Sequence, residues 1–307
     1  MNSQNLINNI IDNLLSPKVK ERSERLILTI AIVSYIVHLL LIILVNQELI
    51  QIESKLFKNP IAAIYTPFSF ILLYEVYLLV FFLPKSITTY IGKQYEIITL
   101  IVIRRIFKDI SHLELHTNWF QNRNDLQFTY DVATSLVLFV LIYLFYQKNN
   151  KKDFSKNKKS DKEIKKINRF IILKKAISIT LLPILAALAF YTLYNWVSET
   201  IQDYRNGILA FENINNIFFE EFFTILIIID VLLLLLSFFY SDEFHKIIRN
   251  SGFVISTILI KMSFSVEGIV NNALIIGAVL FGYVILTIHN MYEKKGVPGT
   301  VHNEQSE

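Results

Sequence analysis

The sequence predicts an all-α integral membrane protein, with eight transmembrane helices arranged as two parallel four-helix repeats. Three observations lead there. The first is composition: of 307 residues, 53% are hydrophobic and only 18% charged, with a mean hydropathy of +0.44. A soluble domain carries about a quarter charged residues, so the shortfall points to a bilayer environment. The second is spacing: eight apolar stretches approach the roughly 20 residues that a bilayer core requires. The third is a weak internal repeat that relates the two halves.

Residues 1–25 read as a cytoplasmic amphipathic segment. Leu6, Ile7, Ile10, Ile11, Leu14 and Leu15 form one helical stripe that stops at Ser16-Pro17. Such a stripe suits the membrane surface or the protein's own cytoplasmic face. No apolar core of a secretory signal occurs in this stretch.

The spans follow at about 26–45, 63–83, 87–107 and 131–147, which make a first membrane repeat over 26–147. The second repeat, 172–291, holds spans at about 172–196, 221–240, 246–265 and 270–291. Between them, 148–171 is a lysine-rich cytoplasmic linker that cannot form a core and suits anionic lipid headgroups. Residues 292–307 read as a disordered cytoplasmic tail.

The third and seventh spans are the weakest. Ile87–Asp109 carries Lys93, Glu96, Arg104 and Arg105, and crosses lipid only if neighbouring helices shield those charges. Charge counting favours including both. Eight spans with the N-terminus inside put 22 of the 30 Lys and Arg on the cytoplasmic side, whereas six spans put 17 there at best. The positive-inside rule therefore selects eight spans, with both termini cytoplasmic in a plasma (inner) membrane. Trp196 and Tyr65 then fall at the outer interface, and Tyr143, Tyr146 and Tyr292 at the inner one.

The repeat aligns Ile91–Phe107 with Ile248–Phe264, without gaps, at a separation of 157 residues. Five positions are identical, and Arg104 matches Lys261. The preceding spans each hold one central carboxylate, Glu75 or Asp230. Four spans per half leave both halves in the same orientation, as in a parallel duplication.

Function is sought in the intramembrane charges, which are costly unless used. Counted from the turn at Leu83-Pro84-Lys85, Glu75 and Glu96 lie at depths differing by roughly 5 Å. Two carboxylates so placed do not both stay ionised without a cation or water between them. Glu75, Glu96 and Asp230, with His38 as a further candidate, thus make an expected ion or proton pathway. His38 also reads as a packing histidine. Asp230 lacks a partner like Glu96, because Phe253 stands at the equivalent place. Arg104, Arg105 and Lys261 are expected as an outer-face basic set that snorkels to the interface.

Other chemistry is poorly supplied. With no cysteine, disulfides and thiolate sites are excluded. His112-x-Glu114-x-His116 lacks a third metal ligand, and no phosphate loop or nucleophile elbow occurs. Ala273, Gly277, Ala278 and Gly282 make small-xxx-small pairs for close helix packing, and Pro183 is expected to kink span 5. The reading is an ion channel or proton-coupled transporter, not an enzyme, without cofactor or metal. The alternative is a non-transporting scaffold, sensor or assembly factor, and a membrane-embedded lipid enzyme ranks below both. Expected partners are the lipid bilayer, an inorganic ion or proton, and a second copy in a homo-oligomer; nucleic acid is not expected.

Overall fold

The computed structural model describes residues 15–49, 60–110, 123–149, 161–205, 214–240 and 243–295. The amphipathic stripe up to Leu14, the centre of the linker, the His112–His116 motif and the C-terminal tail after Lys295 lie outside the described residues, while 292–295, expected as the start of the disordered tail, continue the last helix. Among the described residues there is no strand. There are eight α-helices: α1 (Pro17–Asn46), α2 (Tyr65–Phe82), α3 (Ile87–Ile110), α4 (Arg123–Asn149), α5 (Asp161–Arg205), α6 (Ile214–Tyr240), α7 (Phe244–Phe264) and α8 (Ile269–Lys295). A 3-10 turn, Pro60–Ile64, leads into α2.

Six of these, α1 and α4 to α8, are long and apolar enough to cross a membrane. The third expected span, α3, falls short because charged residues, Lys93, Glu96, Arg104 and Arg105 among them, interrupt the apolar run. At 18 residues α2 is about 27 Å long, slightly less than a hydrocarbon core of roughly 30 Å. The seventh expected span qualifies as α7.

Local signals explain the ends. Ser16 caps α1 by accepting from the Val19 amide at 3.2 Å, and Pro17 occupies the first turn, where its missing N–H is harmless. α1 thus begins well before the expected start of the span. α5 likewise begins inside the expected linker, at Asp161. Its opening, DKEIKKINR, combines helix formers with acidic residues near the positive end of the helix dipole. α5 continues through Pro183, whose side chain is exposed. Gly268 turns the chain from α7 to α8 at φ +70°, which favours glycine.

Sequential helices pack as neighbours in each half, and the halves meet where α4 lies on α8, α3 on α7 and α2 on α5. The largest wholly buried side chains include Tyr90, Tyr95, Phe145, Phe222, Phe223 and Phe253. Tyr95 and Phe145 stand edge to face at 5.2 Å, and Phe145 reaches Phe253 at 6.1 Å. The exterior is apolar. In α1, Leu26, Ile32, Val33, Ile36 and Leu40 are exposed, while Ala31, His38 and Ile42 are buried. Large exposed apolar faces of this kind need lipid to cover them, as an integral membrane protein requires.

Close packing of α8 uses one small-residue pair. Ala278 is buried and its carbonyl accepts from Ser256 at 2.7 Å, while Gly282 makes room for Tyr95. Ala273 is exposed, and a Cβ on Gly277 would meet nothing within 4 Å. Gly282→Ala should therefore destabilise the fold by about 1–3 kcal/mol through overpacking, and Gly277→Ala should not. Thermal unfolding of the two variants in one detergent checks this.

Candidate functional site

The interior polar groups of the bundle fall into separate clusters, and their grouping differs from the expected one. Glu75 on α2 is buried and pairs with Arg104 on α3, the guanidinium Nη2 lying 3.3 Å from the Glu75 Oε2. Arg104 is itself only 3% exposed, so it is not an interface anchor. Side chains lean towards the N-terminus of their helix. In the antiparallel α2–α3 hairpin, Glu75 and Arg104 therefore lean towards each other, closing a separation along the axis that residue counting alone overstates.

Glu96 does not join Glu75. It is half-buried on α3 beside Lys93, whose Nζ donates to both carboxylate oxygens at 2.9 and 2.6 Å. The Tyr146 hydroxyl donates to Glu96 Oε1 at 2.5 Å. Tyr146, expected in the inner aromatic belt, is thus partly turned to this pair, whereas Tyr143 and Tyr292 are exposed. His38 binds Thr66 Oγ1 and ties α1 to the start of α2. Lys261 is half-buried in the last turn of α7 and shares in none of the clusters described here.

Arg105 is the hub of the largest cluster. It grips Asp131 of α4 with two bonds, Nε to Oδ2 at 2.5 Å and Nη2 to Oδ1 at 2.8 Å. It also donates to Asn271 and Asn272 of α8 at 2.7 and 2.6 Å. Asn272 and Gln127 donate to Asp131 Oδ1 at 2.7 and 2.8 Å, and Asn271 donates to the Ser263 carbonyl of α7 at 2.5 Å. Four helices meet there, and Asp131 is wholly buried. Arg105 thus ties α3 to α4 and α8, and through Asn271 to α7.

Asp230 stands apart in kind. It is buried in α6, and no Lys, Arg or His among the described residues pairs with it. Neutral groups hold it instead. Gln94 Nε2 donates to Asp230 Oδ2 at 3.1 Å. The Thr257 hydroxyl lies 3.1 Å from the same oxygen and 2.9 Å from Gln94 Oε1. It also lies 3.2 Å from the Phe253 carbonyl, and one hydroxyl proton cannot serve three acceptors at full strength. The trio thus joins α3, α6 and α7 through one shared hydroxyl.

A cavity of about 20 Å³ adjoins it, bordered by Tyr90, Asp230, Asn250 and Phe253. That is room for one water. From there, polar contacts run to the end of the bundle where α7 begins. Asn250 reaches Ser237 at 3.4 Å and accepts from Arg249 at 3.1 Å. Arg249 Nη1 lies 2.9 Å from His289 Nε2, which lies 3.2 Å from the exposed Glu293. The second half is thus not the chemically poorer one.

The sequence marked Asp230 but not its company. Gln94, Thr257, Tyr90 and Asn250 look like ordinary polar residues on amphipathic helices. Asp131, Asn271 and Asn272 sit at the starts of two corresponding apolar runs, a shared signal that points to an interhelical contact. Lys174 was also missed: it is buried in α5 and donates to the Lys85 carbonyl in the α2–α3 turn.

The chain matches no family model, no characterised protein and no solved structure. Its chemistry is therefore read from the site itself.

Glu75→Gln should cost about 3–5 kcal/mol by leaving Arg104 buried without its carboxylate. Adding Arg104→Met should recover most of that loss, because an apolar replacement of both partners is nearly neutral. A double-mutant cycle on thermal stability reads both effects.

Proposed function

We propose that this chain is a polytopic membrane protein that conducts protons or couples proton binding to transport, with Asp230 as the proton-bearing group. One observation carries the reading: among the clustered acids, Asp230 is held by neutral donors rather than by a cation. An intramembrane carboxyl that changes state needs partners that accept both forms, and Gln94 with Thr257 can do so. A neighbouring space for water and the track through Asn250, Arg249 and His289 to Glu293 supply a route to one surface. Glu75, Glu96 and Asp131 are poorer candidates, because each is already neutralised by a cation.

Eight spans in two parallel repeats remain our reading of the topology. The third helix of each half, related by the 157-residue shift, meets its counterpart, α3 on α7, and so does the fourth, α4 on α8, as a two-fold relation between duplicated units would arrange. Shielding of the α3 charges by α2, α4 and α8 supports its crossing. Both termini and the basic linker then face the cytoplasm at a plasma membrane, where the linker meets anionic lipid.

A non-transporting scaffold is the second reading. The Arg105 lock favours it, since that cluster serves helix assembly and leaves little room for ions.

In sealed proteoliposomes loaded with a pH dye, the protein should speed collapse of a pH gradient, and Asp230→Asn should return the rate to that of empty vesicles. The same substitution should remove a pH-dependent carboxyl band from the infrared difference spectrum. A folded Asp230→Asn protein that keeps both signals would sink the reading. Topology is separately testable, because the chain is free of cysteine. Ser86→Cys, Ser155→Cys and Ser306→Cys should react with an impermeant thiol reagent from one side, and Ser54→Cys from the other. Ser86→Cys reacting alongside Ser54→Cys would mean that α2 and α3 do not cross.

A further inference from the structure

At the end of the bundle where α7 begins, two histidines and two glutamates converge in a way that helix assembly does not require. His289 and Glu293 are one turn apart on α8, with His289 Nε2 3.2 Å from Glu293 Oε1. His245, in the first turn of α7, stacks on His289 with ring centroids 5.1 Å apart. One donor atom from each of His245, His289 and Glu293 lies within 4.8 Å of the other two. Glu243, just ahead of α7, has its Oε2 3.1 Å from His245 Nε2.

We propose that His245, His289 and Glu293 form a binding site for a divalent transition-metal ion of the zinc class. Two imidazoles and a carboxylate, with no thiolate, suit that class, whereas calcium and magnesium prefer oxygen alone. Four-coordinate zinc holds its donor atoms roughly 3.3 Å apart, a separation His289 and Glu293 already have. His245 is half-buried and closes the remaining gap by turning its ring. The His289 Nδ1 lies 3.3 Å from the His245 carbonyl. Donation there fixes the tautomer that leaves Nε2 free to ligate, a usual outer partner of a metal-bound histidine. A cavity of about 110 Å³, lined by His245, Arg249 and His289, lies against the ligands and has room for water in the fourth position. Glu243 is the alternative fourth donor.

Arg249 tests the idea from the other side. Its Nη1 occupies the His289 lone pair at 2.9 Å, where the metal would bind, so the guanidinium and the ion compete. Arg249 retains Asn250 as a partner when displaced, because Nε and Nη2 already bond Asn250 Oδ1 at 3.3 and 3.1 Å. The site does not depend on transport, and its test is a binding measurement.

Full-length protein in detergent, stripped with chelator and titrated with Zn²⁺ and then Co²⁺, should take up one ion per chain. The cobalt form should show the visible absorption of a four-coordinate site. His289→Ala should abolish uptake. Glu293→Gln alters a more exposed group and keeps the test valid if His289→Ala fails to fold. It should weaken binding by more than the roughly 10–100-fold that loss of an outer partner costs. Arg249→Gln should tighten binding about tenfold, the worth of removing one competing charge-assisted hydrogen bond. Absence of uptake, or uptake that Glu293→Gln and Arg249→Gln leave unchanged, would overturn the proposal.

Discussion

The Arg105 guanidinium depends on four helices, and they depend on it. Each of its bonds to Asp131, Asn271 and Asn272 reaches a different group on α4 or α8, and Asn271 passes the connection to α7. In a medium without competing water, such a set rewards only one arrangement of the helices, since a half-satisfied network costs more than an apolar contact. Apolar packing against lipid-like surroundings is comparatively indifferent to register. The polar lock therefore sets how the two halves meet, and the small-residue face at Ala278 and Gly282 lets them approach closely enough to form it.

The same constraint separates structural acids from the functional candidate. Glu75, Glu96 and Asp131 each have a cation within 3.3 Å. Asp230 has Gln94 and Thr257. The difference goes with where each acid stands on its helix. Under a shift of 157 residues, Arg104 maps onto Lys261 while Glu75 maps onto Leu232, two positions after Asp230. Two residues on a helix are roughly 200° of rotation, so Asp230 faces away from the place where its half would form the equivalent ion pair. It meets Gln94 of α3 and Thr257 of α7 instead. Glu75 is thus paired by charge, and Asp230 is held by neutral donors.

Asp230 and Asn250 border one small cavity, and Asn250 and Arg249 lead from it to the histidine cluster. This gives the second half a polar line from the middle of α6 to the start of α7, beside the mostly apolar packing of Leu233, Phe253 and Val254. A metal ion at His245, His289 and Glu293 would compete directly for His289 with the arginine on that line. Proton access and metal binding would then share a residue without sharing a site.

By itself the sequence determined the helical, apolar class, the centres of the helices and the residues that bear charge inside them. Hydropathy and turn residues are local properties, so the stretches around Ile87–Asp109 and Ile248–Phe264 could be delimited as α3 and α7. What it could not determine was which charge meets which. Glu75 and Glu96 seemed paired because depth was counted along the helix axes, but rotation about those axes and side-chain lean put Arg104 against Glu75. Gln94, Thr257 and the His245–His289–Glu293 group were illegible for the same reason, since each gains meaning only from a residue on another helix. The tertiary structure decided those pairings, because the distance between side chains on separate helices depends on packing that no single helix encodes.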